Sequence, residues 1–184
     1  GLQVTDAVRL GFIDPETLFL VGEEGDREVV WRADSNLFTF FGLPMTSGSS
    51  SQALIAEDSI AISEKIAEKY FGTSTAIGNI VTLRSREANR KPTSKDYKVS
   101  AIFQTLPQNT HLNFDIVILA GKDSLPSYVK SWDRQYIYTT FLKMSGGSAV
   151  DTMTPMLKSL VTNHIEAPSN NGAPSESVTL WLEE

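Results

Sequence analysis

An α+β domain is predicted, on three observations. Segments of period 2 outnumber those of period 3.6, and the clearest helix lies between two strand-like segments at residues 59–83. Hydrophobic residues at 41% and charged residues at 21% are ordinary globular values. The 184 residues fit one domain or two small subdomains, and a chain of that size buries roughly 70% of its extended surface on folding.

Residues 4–12 mix Val4, Val8, Leu10 and Phe12 with Arg9, and 17–22 form a clearer strand. Turn chemistry at 23–26 predicts that 27–33 returns as the second arm of a hairpin. Asp34 or Ser35 then caps a short helix carrying Leu37, Phe38, Phe40 and Phe41, whose aromatics read as core or as an exposed contact patch. Gly42, Pro44, Gly48 and a run of serines mark 42–53 as a loop.

The central stretch is a β-α-β reading. Ile60 and Ile62 alternate with small residues, and Ser63 can cap the helix that follows. Glu64 in the first turn and Lys69 in the last suit the helix dipole. Ile66, Ala67, Tyr70 and Phe71 share one face, Gly72 stops the helix, and from Ile77 the period returns to 2. Ile80 and Thr82 then lie on one face of a strand, Val81 and Leu83 on the other.

Residues 84–98 are basic, with Arg84, Arg86, Arg90, Lys91, Lys95 and Lys98 against Glu87 and Asp96. Flanked by strands, this stretch reads as a long hairpin tip. It is either a solvated tip or a contact for an anionic surface, whether lipid headgroups or an acidic partner. Further strands are expected at 97–106, 114–119 and 136–144, a helical turn at 127–132, a last helix starting at Ser148, Asp151 or Thr154, and a final strand at 178–182.

The formal charge of −6 argues against nucleic acid as partner. The absence of cysteine excludes disulfides, thiol catalysis and thiolate metal sites. No run approaches the roughly 18 apolar residues of a membrane span. No phosphate-binding glycine loop, dinucleotide fingerprint, nucleophile elbow or paired-histidine zinc motif occurs. His111 and His164 stand in unrelated contexts, and neither is placed beside a nucleophile by its spacing. No catalytic, metal or cofactor residue is therefore expected. The chain opens on Gly1 and closes on Trp181-Leu182-Glu183-Glu184 directly after an alternating segment, so a piece of a longer protein is expected.

The ordered set of segments resembles the extracytoplasmic (periplasmic core) domain of MacB-like, FtsX-like ABC transporter permeases. Val4 to Arg9 is similar to the opening of these domains, and Asp34 with Phe38-Thr39-Phe40-Phe41-Gly42-Leu43-Pro44 to their aspartate and aromatic segment. Gly48 stands where the family has a loop glycine. Ser59 to Glu64, Ala67, Lys69 to Gly72 and Ile77-Gly78 resemble the most typical block, followed by Tyr97-Lys98-Val99 and Leu106 to Asp115. The likeness runs from about residue 4 to 182. Where the family has Val-x-Gly-Val, this chain has Val99-Ser100-Ala101-Ile102, which puts close backbone approach there in question.

The resemblance implies a single extracytoplasmic domain over 1–184, with a mixed α/β porter-like subdomain (about 1–50 and 115–184) and an inserted smaller β-rich subdomain (about 51–114). It implies an inner-membrane permease with membrane helices on both sides of the domain. ATP would be hydrolysed by a separate subunit or domain and its motion transmitted to a periplasmic adaptor or a protein, peptide or lipoprotein cargo in export or efflux. Arg84, Arg86, Arg90 and Lys91 are then the candidate partner contacts. The alternatives are a free-standing periplasmic ligand-binding domain and a hydrolase, which a pocket of convergent polar groups or a cleft of perturbed carboxylates would favour.

Overall fold

The computed structural model describes residues 3–72, 76–85, 93–107, 109–110, 112–121, 138–145, and 155, 156 and 159. The chain divides into two compact units, one of residues 1–6, 125–136 and 142–184, the other of residues 7–124 and 137–141. In the first, Thr5 donates its hydroxyl to the Lys143 carbonyl at 3.1 Å. His111, His164, the predicted turn at 127–132 and the predicted strand at 178–182 lie outside the described residues, as does most of the predicted last helix, of which Pro155, Met156 and Ser159 are helical.

The fold is α+β and dominated by sheet. The strands are β1 (Gln3–Val21), β2 (Glu24–Ala33), β3 (Met45–Ser47), β4 (Ser59–Ser63), β5 (Ile80–Ser85), β6 (Thr93–Phe103), β7 (Ile116–Leu119) and β8 (Thr139–Ser145). Two helices interrupt them, α1 (Leu37–Phe41) after β2 and α2 (Glu64–Phe71) after β4. The strand order is β2-β7-β4-β6-β5-β1-β8, with β3 on β6. Because β1 also pairs with β2, the pairings β1-β2-β7-β4-β6-β5 return to β1 and close a circuit. A closed circuit leaves fewer unpaired strand edges for unwanted association. Strands from 51–114 and from both flanking portions of the chain share this sheet.

Three expectations are corrected here. The hairpin turn is Gly22-Glu23, with Val21 paired to Glu24, instead of residues 23–26. Gly22 at φ 65° supplies the left-handed residue a two-residue hairpin turn needs, so Gly25 is drawn into β2 opposite Leu20. The weakly patterned 4–12 segment and the 17–22 strand are one strand, interrupted by register shifts between Phe12 and Thr17. Finally, β4 and β5 are not neighbours: β6 lies between them, parallel to β4 and antiparallel to β5. The β-α-β order is correct, but the parallel partner of β4 comes one strand later.

The sheet residues alternate between two apolar clusters. Ile60, Ile62, Ile116 and Ile118 join Val81, Leu83 and Val99 in one, beneath Ile66 and Ala67 of α2. Ala61, Val117, Ala101 and Phe103 face the other, beneath Leu37, Phe38 and Phe40 of α1 and Leu54 of the following segment. The small residues Ala61 and Ala101 make room for the aromatics, since Phe38 and Phe103 meet at 5.2 Å between centroids and Phe103 and Phe114 at 5.6 Å. The aromatic segment is therefore core: Phe38 is fully buried, and half-buried Phe41 meets Phe141 edge-on at 5.1 Å.

Candidate partner-contact surface

Three polar networks hold the larger unit, and each joins residues far apart in sequence. Arg9 forks onto Asp34, Nη2 donating to Oδ1 at 2.7 Å and Nε to Oδ2 at 3.0 Å, while the Arg9 N–H donates to Oδ2 at 2.8 Å. Tyr138 lies under the guanidinium, 5.5 Å from its carbon. Burial by itself would raise the Asp34 carboxyl pKa, but the hydrogen bonds and charge of Arg9 outweigh it and hold that carboxyl below its ordinary range. Asp34 was expected, with Ser35, to cap α1. Its side chain is committed to Arg9 instead, and the N-cap position is Asn36, which makes no side-chain cap bond and donates through Nδ2 to the Ala7 carbonyl.

The second network starts at the cap of α2. Ser63 Oγ accepts from the Ile66 N–H at 3.3 Å and donates to Asp115 Oδ1 at 2.7 Å, and Lys65 closes on Asp115 Oδ2 at 2.9 Å. Ser63 is fully buried and its hydroxyl proton goes to a carboxylate, so the trio organises a helix start and presents no nucleophile. At the other end of α2, Lys69 bridges Asp26 and Glu28 at 3.2 and 2.8 Å, and Tyr70 donates its hydroxyl to Glu28 at 2.8 Å. Burial first, and then the neighbouring Glu28 carboxylate, push the Tyr70 phenol up to about 12.

Gly48 explains the loop glycine. At φ +85° it lies against β6, where an added Cβ would come within 2.9 Å of the Ser100 carbonyl oxygen and 3.2 Å of the Ala101 Cβ. The close approach expected of a glycine on β6 is thus made from the opposite side. Ser100 is the extra residue where the β4–β6 register shifts, and its hydroxyl donates to the Ile60 carbonyl at 3.0 Å and to the Ala53 carbonyl.

Of the four candidate contacts, Arg84 is exposed on β5, where it pairs with Ser94 of β6 and Leu18 of β1; Arg86, Arg90 and Lys91 lie outside the described residues. β5 and β6 keep unbroken register from Ile80–Lys98 to Ser85–Thr93, so strand pairing extends further into the basic stretch than alternation suggested. The side chains obey period 2. Val81 and Leu83 are buried, whereas Ile80 is 55% exposed and Thr82 donates across the outer face to Asp96 Oδ1 at 2.6 Å. Lys95 donates to the Glu57 carbonyl at 2.9 Å and stands 4.9 Å from the Tyr97 ring centroid. Lys98, which sequence reading placed in the charge run and at the start of the 97–106 strand, lies on the outer face beside Ile80. The signal that finds it is cross-strand register, which no local pattern carries. Among the described residues no group of histidine and carboxylate side chains could hold a metal ion, and no helix is long and apolar enough to cross a membrane.

Solved structures share this fold, three of them as follows. A domain of a putative permease from Porphyromonas gingivalis matches with a TM-score of 0.67 at 18% identity, over 88% of this chain and 65% of that one. The periplasmic region of MacB from Actinobacillus actinomycetemcomitans matches at 0.55 and 12% identity, over 88% and 68% of the two chains. The extracellular domain of the noncanonic ABC-type transporter YknZ from Gram-positive bacteria matches at 0.55 and 16%, over 88% and 76%. The chain thus spans just under two thirds of the Porphyromonas domain. No curated protein matches significantly. The model of the MacB-like periplasmic core domain matches residues 4–160, which include Arg9, Asp34, Gly48, Ser63 and Asp115, and the chain belongs to that family.

Proposed function

We propose that the chain is the non-catalytic extracytoplasmic domain of an inner-membrane ABC transporter permease, and that it couples ATP-driven motion of the membrane helices to engagement of a partner or cargo in export. The single observation that carries this reading is the family match over residues 4–160. The sheet supports it physically: a circuit of paired strands over two packed clusters moves as a body, which suits a part that transmits motion. ATP hydrolysis belongs to a separate subunit or domain reached through the membrane helices. The partner-contacting region includes the basic tip with Arg84, Arg86, Arg90 and Lys91.

The test uses the full-length protein in cells. It is expected in the inner-membrane fraction, with this domain cleaved by protease added to spheroplasts and with an ABC ATPase co-purifying from detergent. Deleting the domain should leave the ATPase bound and abolish export. A protein recovered in the soluble periplasmic fraction would overturn the reading in favour of a ligand-binding domain.

A further inference from the structure

We propose that the outward face of the β5–β6 hairpin, built on Ile80 opposite Lys98 with Arg84 further along β5, docks an acidic segment of another protein that carries apolar side chains. This inference extends the partner contact from the tip to the sheet face, and rests on the preceding reading only in supposing that a partner exists.

The first support is how the cations are matched. Arg9 is paired with Asp34, Lys65 with Asp115, and Lys69 with Asp26 and Glu28. Arg27, Arg32 and Lys143 have partners as well, and Lys95 is held by a carbonyl and a ring. Among the described residues, the basic side chains with neither a hydrogen-bond nor an ionic partner are Arg84 and Lys98. Both lie on one face of one hairpin, with the remaining cations of the tip following Arg84 in sequence. Exposed cations left unmatched on a chain of charge −6 form a local address for negative charge, acting mainly on association rate and register.

The second support is apolar. Ile80 is 55% exposed directly across from Lys98, and Ile77, just before the strand, is 38% exposed. The same side of β6 is covered further along: beyond the Ser100 bulge, Ala101 and Phe103 are buried beneath α1 and Leu54. Coverage stops at Lys98, whose N–H is bonded to the Asp58 carbonyl, and the described residues of β6 before it, 93–96, are exposed. An isoleucine with Lys98 across from it and Arg84 further along its strand suits a partner with an apolar anchor and carboxylates spaced to meet the two cations. A protein is favoured over an anionic membrane because Asp96 lies between Lys98 and Arg84 on this face and Asp58 is next to Lys98: a uniformly negative lipid surface meets these carboxylates, whereas a protein segment can set its carboxylates against the two cations alone.

The experiment measures fluorescence anisotropy of two labelled peptides, one alternating glutamate with leucine and one alternating glutamine with leucine, titrated with the purified chain. The glutamate peptide is expected to bind about tenfold more tightly at low salt and to lose that advantage as salt rises. Arg84→Glu with Lys98→Glu should abolish the advantage. Ile80→Ser should weaken both peptides, and Asp58→Lys should strengthen the glutamate peptide. These side chains are exposed, so melting temperatures should stay near that of the parent. Equal binding of the two peptides, no binding, or a charge-reversed variant that binds like the parent would overturn the proposal. Binding to phosphatidylglycerol vesicles lost in the same variant, without peptide binding, would overturn it in favour of a lipid surface. A membrane-located, ATPase-bound permease that fails this test sinks the docking face alone and leaves the transporter reading intact.

Discussion

The two helices of the larger unit reach their stability by opposite routes. α2 has a local device at each end: Ser63 caps it, Glu64 and Lys69 complement its dipole, and Gly72 closes it in the left-handed conformation. α1 shares only the left-handed glycine stop, Gly42 at φ 63°, and has no side-chain cap, no acidic residue in its first turn and no basic residue in its last. It has five residues, too few to persist as a helix alone. What α1 has besides that stop is burial, with Leu37 and Phe38 fully buried. One helix is written into its own segment, and the other is imposed by what it covers.

The contrast can be broken most directly at Phe38. Phe38→Ala should cost about 3–5 kcal/mol, because the cavity opens between α1 and Phe103 where little can collapse into it. Urea unfolding measures it, and a loss no larger than that of an exposed residue would show that α1 does not depend on burial. In α2 the matching change is Ser63→Ala, which removes the cap and the bond to Asp115 and should cost about 1–2 kcal/mol. Ser63→Asp is not expected to rescue it, because a second carboxylate would face Asp115.

Asp34 sharpens the comparison, since it holds the entry to α1 without capping it. Asp34→Ala should cost about 1 kcal/mol, the bonds from Arg9 being strong but half-exposed. Its folded pKa is depressed, so its contribution is present above the unfolded value of about 3.9 and is lost as pH falls through the folded one. The gap between parent and Asp34→Ala in acid-unfolding curves should close below that range, and a gap that persists at the lowest pH would contradict the assignment. The smallest expected effect is spectroscopic. Tyr70 at the end of α2 ionises only near 12, so the ultraviolet difference between parent and Tyr70→Phe should show no phenolate at pH 10.5, above the ordinary tyrosine value of about 10. A phenolate signal there would mean that the Tyr70–Glu28 contact is not kept.

Short-range physics was legible from the residues alone. The cap, stop and apolar face of α2, the opposite faces of Ile80 and Val81 in β5, and the ordered blocks resembling the MacB-like domain all rest on spacings of a few residues, where periodicity and capping chemistry act. Only tertiary structure decided which distant segments meet. It set β6 between β4 and β5, returned the strand circuit to β1, paired Arg9 with Asp34 in place of a helix cap, and laid Gly48 against Ser100. It also put Lys98 beside Ile80, turning a basic run into a face. Strand register and long-range ion pairs are settled by the packing of whole surfaces, because one slipped residue would turn every side chain of a strand to the wrong cluster. No window of a few residues holds that information.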